Sequence, residues 1–248
     1  MMSRVISWFS CGAASAYATY IASKEYPELK AVYCRVAEES EDNLRFLKDY
    51  EKATGIKVEI IGSEKHNYSI YEVFKERKFI KGQMGAPCTM ILKKNVRKSY
   101  QQPNDLQVFG YTAEEQDRAD RFIDSNNDVD SWFPLLDKNI GKSECKQFIL
   151  DIGIELPQMY KLGYNNNNCI GCVKGGMGYW NAIRKDFPDH FDRMAKMERE
   201  LNHALLKDKD GKVFLDELDP NRGNFKRDMP SDCGFTCEWQ LDLFKGDY

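Results

Sequence analysis

Apolar residues in the first half of the chain recur in two alternating rhythms. Arg4-Val-Ile-Ser-Trp-Phe9 is a nearly unbroken apolar run of strand length, followed at once by a turn of small residues. From about Ala13 to Lys24 the spacing predicts a helix, and Leu29 to Cys34 predicts a second strand. Asp42 to Thr54 places Leu44, Leu47 and Ala53 among charges, the signature of a helix, and Gly55 stops it. Val58 to Ile61 reads as a third strand and Ile70 to Arg77 as a helix. Leu106 to Phe109 reads as a fourth strand ended by Gly110, with a charged helix from Ala113 to Ile123. Strands alternating with helices predict an α/β fold on a mostly parallel sheet with right-handed crossovers.

The second half changes character. Trp132-Phe-Pro-Leu135 is a short apolar edge, and Lys142 to Ile152 predicts a helix. The stretch from Gly163 to Gly178 is too rich in Gly and Asn for regular structure. A helical stretch from Tyr179 to Leu206 breaks near Pro188, and Asp208 to Tyr248 is polar and turn-rich. Phe191, Met194, Met197, Leu201 and Leu205 have helical spacing and are expected to pack in the core. The expected partition is a nucleotide-binding α/β domain over 1–140 and a cysteine-bearing helical extension over 141–248, with a soft boundary.

At 248 residues the chain buries enough apolar surface to fold without covalent staples. Its net charge of −3 is small, which gives no bulk attraction to nucleic acid but leaves room for a local basic groove. The apolar run Val5 to Phe9 is too short for a secretory segment, and no stretch approaches the ~20 apolar residues of a membrane span. A cytoplasmic protein without membrane partners is expected. There the eight cysteines stay reduced, and close pairs mark a metal centre or redox chemistry.

Ser10, Cys11, Gly12, Ala13, Ala14 and Ser15 follow a strand and open a helix. The first amides of a helix lack internal acceptors and the dipole favours an anion there, while small side chains admit phosphate oxygens. This loop is a candidate phosphate cradle; the competing reading is a tight turn packed with small residues. Cys169-Ile-Gly-Cys172 has the spacing at which two thiolates reach one metal, and Cys233-Gly-Phe-Thr-Cys237 offers a second pair. Four thiolates suit zinc or an iron–sulfur cluster, and spacing does not separate the two. Cys34 and Cys145 read as small buried hydrophobes.

Pro87-Cys-Thr-Met-Ile-Leu-Lys-Lys94 starts a helix with two cations in its second turn. Beyond Gly110, Glu114 and Arg118 lie four apart with Arg121 beside them. Lys93, Arg118 and Arg121 are candidate phosphate ligands at strand ends, the alternative being a solvated ion pair on a helix face. His66, His190 and His203 sit in separate segments and carry no assigned chemistry.

Taken in order, the loop Ser10 to Ser15, Cys88-Thr with Lys93, Gly110 with Glu114 and Arg118, and Cys169-Ile-Gly-Cys172 resemble the PP-loop ATP pyrophosphatase superfamily. The similarity runs over about residues 4 to 180 and looks closest to the phosphoadenosine phosphosulfate (PAPS) reductase branch, in a form common in phages and prophages. It implies a Rossmann-like, adenine nucleotide alpha hydrolase-like sheet and an adenine nucleotide, ATP or PAPS, with its phosphates on the loop and magnesium accompanying them. Attack falls at the α-phosphate or its sulfate ester. Cys233, preceded by Asp232, resembles the acidic-Cys-Gly tail that carries the reductase nucleophile. The resemblance also makes Cys88 a ligand of a [4Fe-4S] cluster with Cys169 and Cys172; either Cys233 or Cys237 makes up the set of four, or the metal centre differs. The chain departs from the family at Cys11, which replaces a glycine, at Ala14, which replaces an acid, and at Tyr111-Thr112, where reductases tend to carry an arginine. Pro87-Cys88 stands where cluster-bearing reductases have two cysteines.

Three functions compete on these residues. A sulfonucleotide reductase needs a mobile cysteine and a thiol reductant. A modification enzyme adenylates a nucleobase or carrier, or transfers sulfur to a nucleic-acid acceptor. A non-catalytic nucleotide-binding protein keeps affinity without turnover.

Overall fold

The computed structural model describes residues 4–82 and 85–230. Five parallel strands form the central sheet in the order β3-β2-β1-β4-β5, namely β1 Val5–Trp8, β2 Lys30–Cys34, β3 Val58–Ile61, β4 Leu106–Val108 and β5 Asp130–Trp132. The protein is therefore an α/β fold on an all-parallel sheet. Strand β1 is buried at every position because it is central, which is why its sequence is apolar but for Ser7, whose hydroxyl pairs with that of Thr19 at 2.8 Å. The chain steps outward from β1 to β3, then returns to place β4 against the free edge of β1, with Ser7 opposite Val108. The carboxyl ends of β1 and β4 thus flank the topological switch point, where open sheets of this kind form a crevice.

The chain folds as two compact units that interleave in sequence. One comprises Met1–Arg35, Glu41–Gly62 and Asn95–Gly163, and the other Val36–Ser40, Ser63–Lys94 and Tyr164–Tyr248. The first unit holds the whole sheet with α1 Ala13–Glu25 and α2 Asp42–Thr54. Its core gathers Phe9, Cys11, Ala16, Tyr33, Phe46, Tyr50, Leu135, Cys145 and Ile149. Cys34 and Cys145 are buried, as their reading as small hydrophobes anticipates.

The second unit contains α3 Ile70–Arg77 and the short α4 Pro87–Thr89, which passes into a π-helical turn over Met90–Lys94. In the first unit follow α5 Asn95–Tyr100, α6 Gln116–Ser125, α7 Pro134–Asp137, α8 Lys142–Asp151 and α9 Gln158–Lys161. The second unit resumes with α10 Met177–Asp186 and α11 Pro188–Glu200. The helical stretch expected to reach Leu206 is shorter than its pattern suggests. It stops at Glu200, where Leu201 is the cap and Asn202 turns into the left-handed region. Phe191, Met194 and Met197 are buried on α11, whereas Leu205 is buried from a loop. A hairpin that the sequence pattern does not announce follows, with β6 Leu206–Asp208 antiparallel to β7 Gly211–Val213. No described helix is long and apolar enough to cross a membrane.

Candidate functional site

The loop Ser10–Ser15 leaves β1 at the switch point and enters α1. The first bond of the helix runs from the Ala16 amide to the Gly12 carbonyl at 3.0 Å, so the amides of Gly12, Ala13, Ala14 and Ser15 precede it. Side chains hold the loop in this form. The buried Ser15 hydroxyl accepts from the Ser10 amide at 2.9 Å and the Ser10 hydroxyl at 3.0 Å, and donates to the Gly12 carbonyl at 3.0 Å. Thr19 donates to the Ser15 carbonyl at 2.7 Å, and Tyr50 of α2 donates to the Ala16 carbonyl at 2.9 Å. The first turn of α1 is thus fixed from below while Ser10 stays exposed.

Two positions explain the residue choice. Cys11 has φ +56°, the region in which glycine is at ease, and its side chain is buried in the core. A glycine would adopt this backbone conformation without steric cost. Gly110, just past β4, packs against the first turn of α1: a Cβ there would lie 2.6 Å from Ser15 Cα and 2.7 Å from Ser15 N. Only glycine allows the two loops of the switch point to touch backbone to backbone.

Beyond Gly110 the Thr112 amide and hydroxyl both bond Glu115, at 3.2 and 3.1 Å. Glu115 takes Arg118 at 2.6 Å, and the Arg118 guanidinium lies 4.8 Å from the Tyr111 ring centre. The pairing of Arg118 with Glu114 suggested by their spacing gives way to one with Glu115. A 3-10 turn over Ala113–Glu115 resets the register, and Glu114 instead accepts from the Lys142 amide at 3.1 Å. Arg118 is largely covered, while Arg121 is exposed on the outer face of α6.

Nothing in the sequence pattern points to Tyr160. From α9 its hydroxyl accepts from the Ala13 amide at 3.4 Å, and it would stand 3.2 Å from a Cβ placed on Gly12. No local pattern announces it, because 147 positions along the chain separate it from Ala13.

In the second unit Lys93 lies in the π-helical turn and forms a buried ion pair with Glu39 at 2.9 Å. Its neighbour Glu38 accepts from the Ser69 hydroxyl at 2.6 Å and the Ile70 amide at 2.9 Å, capping α3, while its own carbonyl takes the Ile170 amide at 2.9 Å. The Cys169–Cys172 loop is therefore tied to Val36–Ser40. A second tie comes from Tyr179: its hydroxyl accepts from the Cys172 amide at 2.8 Å and donates to the Cys169 carbonyl at 3.4 Å. Burial raises the Tyr179 phenol well above its ordinary range and keeps it a neutral donor. Gly171 turns the loop at φ +73°, with Trp180 packed beneath. Burial pushes the Lys81 ammonium down, against the opposing pull of the Cys172 thiol and Glu198.

Cys169 and Cys172 are both buried and Cys88 is half-buried at the start of α4. Among the described residues no three or more His, Cys, Asp or Glu side chains are gathered to hold a metal ion. Cys233 and Cys237 lie outside the described residues. Of the expected metal ligands, Cys88, Cys169 and Cys172 are therefore the described ones.

No protein-family model matches the chain, and no curated protein matches it. Its function is therefore to be inferred from the geometry of the loop and from the resemblance carried by its motifs.

Proposed function

We propose that the chain is a cytoplasmic PP-loop enzyme that binds an adenine nucleotide, ATP or PAPS, with its phosphates on Ser10–Ser15. The observation that carries this reading is the backbone contact of Gly110 with Ser15 at the switch point, which sets a helix amino terminus lined by small residues in the sheet's crevice. In this reading the amides of Gly12, Ala14 and Ser15 receive the phosphates, and the Ser10 hydroxyl joins them by exchanging its bond to Ser15 for one to a phosphate oxygen. Arg118, held by Glu115, supplies fixed positive charge toward the reacting group. Arg121, on the exposed face of α6, is the more peripheral cation. Lys93 carries an ion pair with Glu39, so its part is to hold the second unit's buried acid as much as to meet a substrate. Magnesium, when bound, would screen the phosphate chain. A zinc ion or iron–sulfur cluster would be held by Cys169 and Cys172, completed by Cys233, Cys237 or Cys88.

Within this class the resemblance favours PAPS reductase chemistry: the Cys233 thiolate attacks the sulfate sulfur and expels adenosine bisphosphate as the S–O bond breaks. A dithiol reductant then displaces sulfite from the S-sulfocysteine, frees Cys233 and is itself oxidised to a disulfide. The alternative is adenylation or sulfur transfer to a nucleic-acid acceptor. Purified full-length protein should bind ATP or PAPS in calorimetry. Sulfite release from PAPS with a thiol reductant selects the reductase, and pyrophosphate release from ATP with nucleic acid selects the modification enzyme. Binding without either product makes the chain a non-catalytic nucleotide-binding protein, and no binding removes the proposal. Gly12→Val should abolish binding with the fold retained, because φ −101° at Gly12 suits any residue but the space is taken by Tyr160.

A further inference from the structure

Loop Ser10–Ser15 and the first turn of α1 contain no Lys or Arg, so a polyphosphate seated there must meet its cation from another element. Lys146 of α8 is placed to be that cation. Its ammonium stands 4.7 Å from the centre of the Tyr160 ring and has no carboxylate partner among the described residues. The hydroxyl of that ring takes the Ala13 amide at 3.4 Å. Tyr160 is itself fixed: the Gln158 amide donates to Asp42 at 2.8 Å, and Arg45 donates to the Glu155 and Leu156 carbonyls at 3.2 and 3.3 Å. Arg45 in turn is locked by Asp42 at 2.6 Å and Asp49 at 2.9 Å. The ring is a rigid platform that joins a cation to the edge of the loop.

We infer that Lys146, carried on the Tyr160 ring, meets the outer phosphates of the nucleotide and makes the site selective for polyphosphate over monophosphate ligands. This rests on the reading of Ser10–Ser15 as the phosphate loop. An ammonium poised over an aromatic face swings to a phosphate without leaving an acid unpaired. Its effect grows with the number of phosphates, whereas the amides of α1 serve the first phosphate in every case.

The test is calorimetric titration of the full-length protein with ATP, ADP and AMP, with thermal melting to check the fold of each variant. Lys146→Gln should weaken ATP at least about tenfold while AMP changes less than about twofold, and Lys146→Arg should restore ATP binding. Tyr160→Phe keeps the platform and should keep the preference, whereas Tyr160→Leu should lose it. ATP affinity equal to wild type in Lys146→Gln, or equal losses for ATP and AMP, would overturn the inference while leaving the phosphate loop in place. A wild-type protein that binds none of the three nucleotides and no PAPS removes the parent reading and this inference with it.

Discussion

Gly110 and Ser15 touch through their backbones: the nearest heavy atom to a Cβ on Gly110 is Ser15 Cα, at 2.6 Å. The contact joins the loop after β4 to the first turn of α1, and neither side has a flexible side chain that could yield. Gly110→Ala should force the loops apart and cost about 1–3 kcal/mol by overpacking. Nucleotide affinity should fall with it, since the amides of α1 would no longer face the same crevice. Thermal melting and calorimetry read both effects, and an unchanged melting temperature would show that the loops separate without cost.

Lys93 and Glu39 form a buried pair whose side chains are 11% and 3% exposed. Removing one member of a buried ion pair costs about 3–5 kcal/mol. Lys93→Ala should therefore unfold at markedly lower denaturant, and its loss of activity would not by itself prove contact with substrate. The double replacement Lys93→Met with Glu39→Gln should recover much of the stability. If the double variant recovers stability but not turnover, Lys93 acts on the substrate.

Tyr179 holds both ends of the Cys169–Cys172 loop through one oxygen. Tyr179→Phe removes the acceptor of a buried amide and should cost about 1–3 kcal/mol. Cys169 and Cys172, both buried, should then react faster with an alkylating reagent under native conditions. Alkylation rates identical to wild type would show that the loop is held by Gly171 and Glu38 alone.

Glu198 on α11 is fully buried, accepts the Leu205 amide, and accepts the Leu215 amide at 2.6 Å. Burial raises its pKa to about 7 despite those two bonds. The folded value lies above the ordinary 4.5, so the folded state binds the proton more tightly than the unfolded state. Its contribution to stability is full below pH ~4.5 and is lost as the pH rises through about 7, on the order of 3 kcal/mol between the two ends. Urea denaturation at pH 5 and pH 8 should show this decline, and Glu198→Gln should flatten it. An equal slope in the variant would assign the pH dependence to other groups.

How much of the fold and the site is legible in the sequence follows from the reach of each signal. The strand Val5–Trp8, the helix behind it and the small-residue loop between them are local, and their residues announce them through continuous burial, period and size. The third strand's bounds, Val58–Ile61, and the helix bounds Asp42–Thr54 are readable for the same reason. Strand β5, Asp130–Trp132, is only three residues long and starts on an exposed aspartate, so it lacks a run to read. The β6–β7 hairpin is similarly short and polar, closed by Asp208 accepting the Asp210 and Gly211 amides at 2.8 and 3.0 Å.

By itself the sequence determined the alternation of strands and helices, the flexible-backbone positions and which residues are candidates for anion or metal binding, because these depend on neighbours in the chain. Only the tertiary structure decided which of them meet. It placed β4 beside β1, pressed Gly110 onto Ser15, turned Arg118 to Glu115, and brought Tyr160 to the Ala13 amide across 147 positions of chain. Such contacts are fixed by the order of strands in the sheet and by close packing in three dimensions. A residue's own period and chemistry carry no record of the distant partner that packing supplies.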